Sequence, residues 1–240
     1  MNFEYIEQTD STNRLIKERL QSEKPEEGFL LYTDFQTAGK GQAGNSWESE
    51  AGKNLLFSLL LYPHHIKITQ YFLISQITSL AIYNILSEYS DETSIKWPND
   101  IYWREKKIGG ILIENSLFRD QIRHSIIGVG LNINQEKFFS DAPNPVSLKQ
   151  ITGKEQNRDD ILRKLHSELL RIYKEFSAEE IQRLYHQNLY RKEGFHPYTD
   201  SESGEQFSAK IRAVEQDGRL ILEDKAGEIR EFYFKEVVFG

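Results

Sequence analysis

The sequence contains no cysteine, which excludes disulfides, thiolate chemistry, Cys-type zinc sites and iron–sulfur clusters. That lack fits a reducing compartment. Long apolar runs are missing too. The most apolar stretch, Tyr71 to Tyr89, is interrupted by Gln76, Thr78, Ser79, Asn84 and Ser87, and it carries Leu73, Ile77, Leu80 and Ala81 near helical spacing. It reads as a buried amphipathic helix and not as a membrane span, in keeping with a mean hydropathy of −0.59. Positive charge is short: 30 Lys and Arg against 37 Asp and Glu leave a net charge of −7, which opposes the phosphate neutralisation a general DNA binder depends on. The six histidines are scattered, with no H-E-x-x-H pair. Walker A and G-x-S-x-G sequences are absent as well. The start, MNFEYIEQTDSTN, has neither a basic nor an apolar leader region. The expectation is a cytoplasmic protein that begins directly in its folded domain.

What is present alternates. Strands are expected at Phe29–Gln36, Asn54–Tyr62, Ser94–Trp97, Lys107–Asn115 and Ser125–Asn132, and helices at Thr12–Gln21 and Gln70–Tyr89. Asn157 opens a further helix that carries Ile161, Leu165, Leu169 and Ile172 on one face, and Ser177 to Glu180 reads as a capping box for another. Gln135–Pro145 reads as a long loop. After Pro197 the period shortens to two, and Asp217-Gly218 separates alternating strands, a strong hairpin signal. A larger domain over 1–193 and a small all-β unit over 194–240 follow from this change.

Eight of the fifteen glycines fall in Gly39–Gly52 and Gly109–Gly130, which points to close backbone approach and not to ordinary turns. The first cluster, QTAGKGQAGNSW from Gln36 to Trp47, follows a strand and can turn its N–H groups inward as an anion nest, or it is a flexible surface loop. The second signal is IKWPND, Ile95 to Asp100. Lys96 stands between Ile95 and Trp97 on a strand, and Asn99 and Asp100 stand at its end. The alternative there is an edge-strand lysine followed by a polar turn. KIGGILIE (Lys107–Glu114) and GVGLNIN (Gly128–Asn134) place glycines inside strand patterns, which weakens a strand unless something lies against it. Asp10 to Asn13 reads first as a helix N-cap.

DSTN, QTAGKGQAGNSW, KWPND, KIGGILIE and GVGLNIN, in this order, resemble the catalytic core of the biotin–protein ligases. The resemblance runs from residue 3 to about residue 240. It implies an α+β fold: a mixed β-sheet covered by helices, as in the class II aminoacyl-tRNA synthetase core, with a small C-terminal SH3-like β-barrel. The implied reaction forms biotinyl-5′-AMP from biotin and Mg-ATP, then transfers biotin to a lysine of a biotin carboxyl carrier protein. The resemblance further implies catalysis by Lys96, between the biotin carboxylate and the α-phosphate. Biotin would be held by Ser11, Thr12, Asn13, Gln36, Thr37, Gly39, Gly41, Lys96, Gly109 and Gly110. Adenylate and ATP would be held by Lys40, Gly41, Gln42, Ala43, Gly44, Trp47, Asn99, Gly130 and Asn132, with Mg2+ carried by the nucleotide near Asn132.

Motif DSTN at residue 10 leaves no room for the helix-turn-helix that many relatives carry, so a monofunctional enzyme with no DNA or membrane partner is expected. A homodimer is left open. The loop departs from the arginine-rich family pattern at Lys40, Gln42, Ala43 and Asn45, which implies looser retention of the adenylate. The rival readings are a lipoate or octanoate ligase on the same core and a non-catalytic biotin-binding pseudo-ligase.

Overall fold

Two sheets organise the chain in a computed structural model that describes residues 2–140 and 144–240, without the side chain of Ala43. The adenylate contact expected of Ala43, and residues 141–143 of the expected loop, therefore lie outside the described residues. The first sheet holds β1 (Phe3–Thr9), β2 (Leu30–Gln36), β3 (Leu55–Leu61), β4 (Thr93–Lys96), β5 (Asp100–Trp103), β6 (Lys106–Phe118) and β7 (Gln121–Leu131). Their order is β1-β2-β3-β7-β6-β5-β4. Only β1 and β2 run parallel in this sheet. The helices are α1 (Thr12–Arg19), α2 (Leu73–Ser87), α3 (Leu148–Thr152), α4 (Arg158–Glu175) and α5 (Ala178–Gln187). Among the described residues, no helix is long and apolar enough to cross a membrane.

Strand alternation divides the core. Leu55, Phe57, Leu59 and Leu61 of β3 and Ile127, Val129 and Leu131 of β7 face α2, α4 and α5 in the larger cluster. The intervening Leu60 and Ile126 join Ile16 of α1, Phe29 and Leu31 in a smaller cluster on the other face. That second face is covered only in part, since α1 spans just eight residues. Beyond α1 the exposed floor is made of glycine. Here the site forms.

Local signals fix the helix ends. Ser11 accepts from the Arg14 amide, and Asn157 accepts from the Asp159 and Asp160 amides at the start of α4. Ser177 accepts from the Glu180 amide, one half of the expected capping box, while no return bond from the Glu180 side chain is found among the described residues. A reciprocal box forms at Ser147 and Gln150, heading α3, which the sequence reading lacked. It also lacked β1 and β5. Polar residues recur along β1 because it is an edge strand left half-exposed, and β5 is four residues that begin inside the turn expected after Pro98.

The second sheet is antiparallel, with β8 (His196–Asp200), β9 (Gln206–Val214), β10 (Leu220–Asp224), β11 (Ile229–Phe232) and β12 (Val237–Phe239) in the order β11-β10-β9-β8-β12. The expected hairpin lies between β9 and β10, and its tip docks on the first sheet. Trp97 Nε1 donates to the Gly218 carbonyl at 2.8 Å, and the Tyr71 hydroxyl donates to the Asp217 carbonyl at 2.7 Å. Gly218 has φ +88°, and a Cβ there would lie 2.7 Å from the Phe72 ring. Residues after α5 close the β4 edge: the Ile95 amide donates to the Asn188 carbonyl and the Tyr190 amide to the Ile95 carbonyl, both at 2.8 Å.

Candidate active site

Pairing on the α1-side face sets Gly110 opposite Gly130 and Leu112 opposite Gly128, while Leu56 and Ser58 of β3 lie beside Gly130 and Gly128. These positions share one face because side chains alternate. A pocket lies on this floor, lined by Ser11, Thr12, Asn13 and Gln36 at one end and by Asn99, Lys107 and Gly110 at the other. Lys40, Gly41, Gln42 and Trp47 of the glycine-rich segment also line it. That segment folds back on itself. Gly41 N–H donates to the Asn45 carbonyl at 2.7 Å and Trp47 N–H to the Gly39 carbonyl at 2.9 Å, with a single 3-10 turn over Gln42–Gly44. A wider cleft adjoins the pocket and shares Trp47 and Lys107 with it. Gly44, Asn132, Phe138 and Pro145 are among its lining residues.

Three features set the chemistry. The polar end is a hydrogen-bonded cluster: Gln36 Oε1 accepts from the Thr12 amide at 2.8 Å, and Ser58 Oγ stands 2.7 Å from Thr12 Oγ1 and 2.6 Å from Asn13 Oδ1. The cationic end is Lys107, whose Nζ is 2.7 Å from Asp100 Oδ1 and lies over the Trp47 ring at 5.7 Å. Between them the Trp47 indole lies on the glycine floor. A Cβ on Gly130 would lie 2.4 Å from its ring, and one on Gly110 3.0 Å. These two glycines thus seat Trp47 itself, where the sequence reading had bare backbone open to ligand.

Several expected residues are placed elsewhere. Gly109 faces the core, with a Cβ position 2.3 Å from a Leu131 methyl, because neighbouring strand residues point to opposite faces. Gly39 is buried against the Trp47 carbonyl, and Thr37 is exposed; neither lines the pocket.

Lys96 is the main correction. Cross-strand pairing puts it opposite Asp100, and Asp100 opposite Gly110, so Lys96 lies two strands, about 10 Å, from the floor. Its Nζ is 3.0 Å from the Tyr102 hydroxyl and sits over Tyr102, Tyr190 and Phe239 at 4.5, 5.8 and 5.3 Å. Burial pushes this ammonium below the usual lysine range, with Asp100 opposing.

The cation that does line both cavities is Lys107, which heads the KIGGILIE motif. A β-bulge explains why it was missed. Strict alternation from Gly110 would place Ile108 on the floor and Lys107 in the core. The register shift opposite Ile101 and Tyr102 reverses this. Ile108 is buried in the main core, and the Lys107 Nζ lies 3.5 Å from the position a Cβ on Gly110 would take.

Asn99 lines the pocket and ties the turn to β6, donating from Nδ2 to the Ile111 carbonyl at 2.8 Å. Asn132 lines the wide cleft, and its buried Oδ1 has no hydrogen-bond partner among the described residues. Among the described residues, no group of three or more His, Cys, Asp or Glu could hold a metal ion.

The mixed sheet thus carries, on a glycine floor, a hydrogen-bonding pocket and a wider cleft that share one lysine. The description "Biotin/lipoate A/B protein ligase family" matches residues 5–132, and the chain belongs to that family. The structure is similar to that of a biotin protein ligase from Aquifex aeolicus in complex with biotin and ATP, with a TM-score of 0.78, 27% identity, and coverage of 100% of this chain and 99% of that one. Among sequence relatives, the bifunctional ligase/repressor BirA of Bacillus subtilis is 28% identical over 244 aligned residues, 98% of this chain and 73% of its own. A biotin–[acetyl-CoA-carboxylase] ligase of Mycobacterium tuberculosis is 29% identical over 168 residues, 68% of this chain and 61% of its own.

Proposed function

We propose that the chain is a biotin–protein ligase in which Lys107 supplies the charge stabilisation at the reacting centre. A carboxylate oxygen of biotin attacks the α-phosphorus of ATP, the bond to the bridging oxygen breaks and pyrophosphate leaves. The neutral amine of a carrier-protein lysine then attacks the acyl carbon; AMP departs and the amine proton passes to solvent. Lys107 carries this reading, because it lines both cavities and Asp100 holds it at 2.7 Å. Two anions brought together there meet a fixed cation.

The polar end of the pocket favours biotin over lipoate. A ureido ring can pair with the groups around Thr12, Asn13 and Gln36, whereas a dithiolane would leave buried polar atoms unpaired. Asn132 Oδ1, a hard oxygen without a partner among the described residues, fits a Mg2+ ion held mainly by nucleotide phosphates. The acceptor is the carrier domain of a biotin-dependent carboxylase, in keeping with the name of the Mycobacterium relative. We place the junction between ligase and C-terminal units at 193/194, next to Gly194 with its φ of +81°.

The test is pyrophosphate release with biotin and Mg-ATP. Lys107→Ala should lose about 10²–10³-fold, the range for removing one transition-state donor, and Lys96→Ala far less. A Lys107→Ala rate within a few-fold of the parent removes Lys107 from this role. Lipoate in place of biotin should give no release.

A further inference from the structure

The polar end of the pocket has a proton order that its distances impose. Asn13 Nδ2 approaches two acceptors, Glu114 Oε2 at 2.8 Å and the Leu112 carbonyl at 3.3 Å, so the amide nitrogen must point there. Its oxygen then faces Ser58, at 2.6 Å, and can only accept. Ser58 has one proton and is fully buried, so that proton goes to Asn13. The lone pairs of Ser58 are left facing Thr12 Oγ1 at 2.7 Å, and the Thr12 proton turns to Ser58 in preference to Gln36 Oε1 at 3.1 Å. Gln36 Oε1 already accepts from the Thr12 amide. Gly128 makes room for the arrangement, since a Cβ there would lie 2.5 Å from Asn13 Oδ1.

We propose that Glu114 and Ser58 are positioning residues that, through Asn13, hold the Thr12 hydroxyl as an acceptor, so that the pocket selects a ligand presenting an N–H at that point. This deepens the biotin reading and rests on it, because a ureido ring supplies such an N–H. The protons run one way: Thr12 to Ser58, Ser58 to Asn13, and Asn13 to Glu114. Glu114 terminates the relay as an acceptor with no proton to return. Neither Ser58 nor Glu114 lines the pocket, so both act through their neighbours. Removing Ser58 frees the Thr12 proton, and the hydroxyl can then donate, which weakens the preference for N–H.

The experiment measures calorimetric binding to the intact protein, with biotin and with the two cyclic carbamate analogues in which one or the other ureido N–H is replaced by oxygen. The parent should discriminate strongly against at least one analogue. Ser58→Ala should bind biotin about tenfold more weakly, the size of one lost hydrogen bond, and should narrow the discrimination by a similar factor. Glu114→Ala should weaken biotin binding several-fold. Glu114→Gln should restore parental behaviour, since a glutamine oxygen also accepts from Asn13 Nδ2. In turnover, the loss should appear in KM for biotin more than in kcat. Parental affinity and discrimination in Ser58→Ala, or a Glu114→Gln no better than Glu114→Ala, overturn the relay while leaving the biotin reading in place. A parent protein that binds no biotin overturns that reading, and the relay with it.

Discussion

Gly109 and Gly130 share a motif-like appearance in the sequence but stand on opposite faces of the sheet, and alanine substitution separates them. At Gly109 the new methyl would lie 2.3 Å from a Leu131 methyl, and Leu131 is 1% exposed. That methyl has no free space to move into, because its neighbours are core side chains. Overpacking of this kind costs about 1–3 kcal/mol. At roughly 2–4 °C per kcal/mol for a chain of this size, Gly109→Ala should melt roughly 2–12 °C lower. Its kinetics should stay near parental, because no pocket residue has moved. At Gly130 the methyl would lie 2.4 Å from the Trp47 ring, which belongs to a surface segment that can lift. Gly130→Ala should therefore melt closer to the parent but lose catalytic efficiency, since Trp47 lines both cavities. Scanning fluorimetry and the initial rate of biotin-dependent pyrophosphate release read the two effects separately. A Gly109→Ala protein with a raised KM and unmoved Tm, or a Gly130→Ala protein that melts as low with parental kinetics, would refute the facing assigned here.

Gly218→Ala places a side chain at φ +88° and 2.7 Å from Phe72. Strain and clash together cost about 2–4 kcal/mol, which thermal melting should show as a Tm lower by roughly 4–15 °C. For His166, burial lowers the pKa while its hydrogen bond to the Gly28 carbonyl at 2.8 Å opposes; Lys174 adds to the lowering. The unfolded chain then binds the proton more readily, so stability is full above about pH 6.5 and falls as pH drops through that value toward the lower folded pKa. His166→Gln can still donate to Gly28 and should flatten part of the Tm decline below pH 6.5; an unchanged slope sinks this cause. Lys96 titrates by the same linkage. Burial lowers its pKa, Asp100 and Glu105 oppose, and Arg191 and Lys107 reinforce, so parental stability rises as pH climbs from the folded pKa toward 10.5. Lys96→Met lacks that rise, so the Tm difference between the two proteins should hold constant near neutral pH and shift in the parent's favour as pH climbs toward 10.5; a difference that does not change with pH refutes the burial of the charged lysine.

The sequence by itself determined the local grammar. Ser11, Asn157 and Ser177 announce helix starts because their side chains satisfy amides within the next three residues, a contact needing no distant partner. Asp217-Gly218 announced a hairpin for the same reason, and the order of five motifs, three of them glycine-bearing, identified the family. Only the tertiary structure decided which lysine lines the cleft. Lys96 and Lys107 are both cations on strands of one sheet, and sequence period gives relative facing within a strand without saying which face meets the ligand. The bulge between β5 and β6 then reverses the period at Lys107, and a bulge is a property of paired strands with no fixed residue signature. Lys96 was settled by partners remote in sequence: Tyr190, from the segment after α5 that closes the β4 edge, and Phe239, which reaches it when the second sheet docks. Trp47 resting on Gly110 and Gly130 is a contact of the same kind: the glycines advertised that something must lie close to them, and the fold decided what.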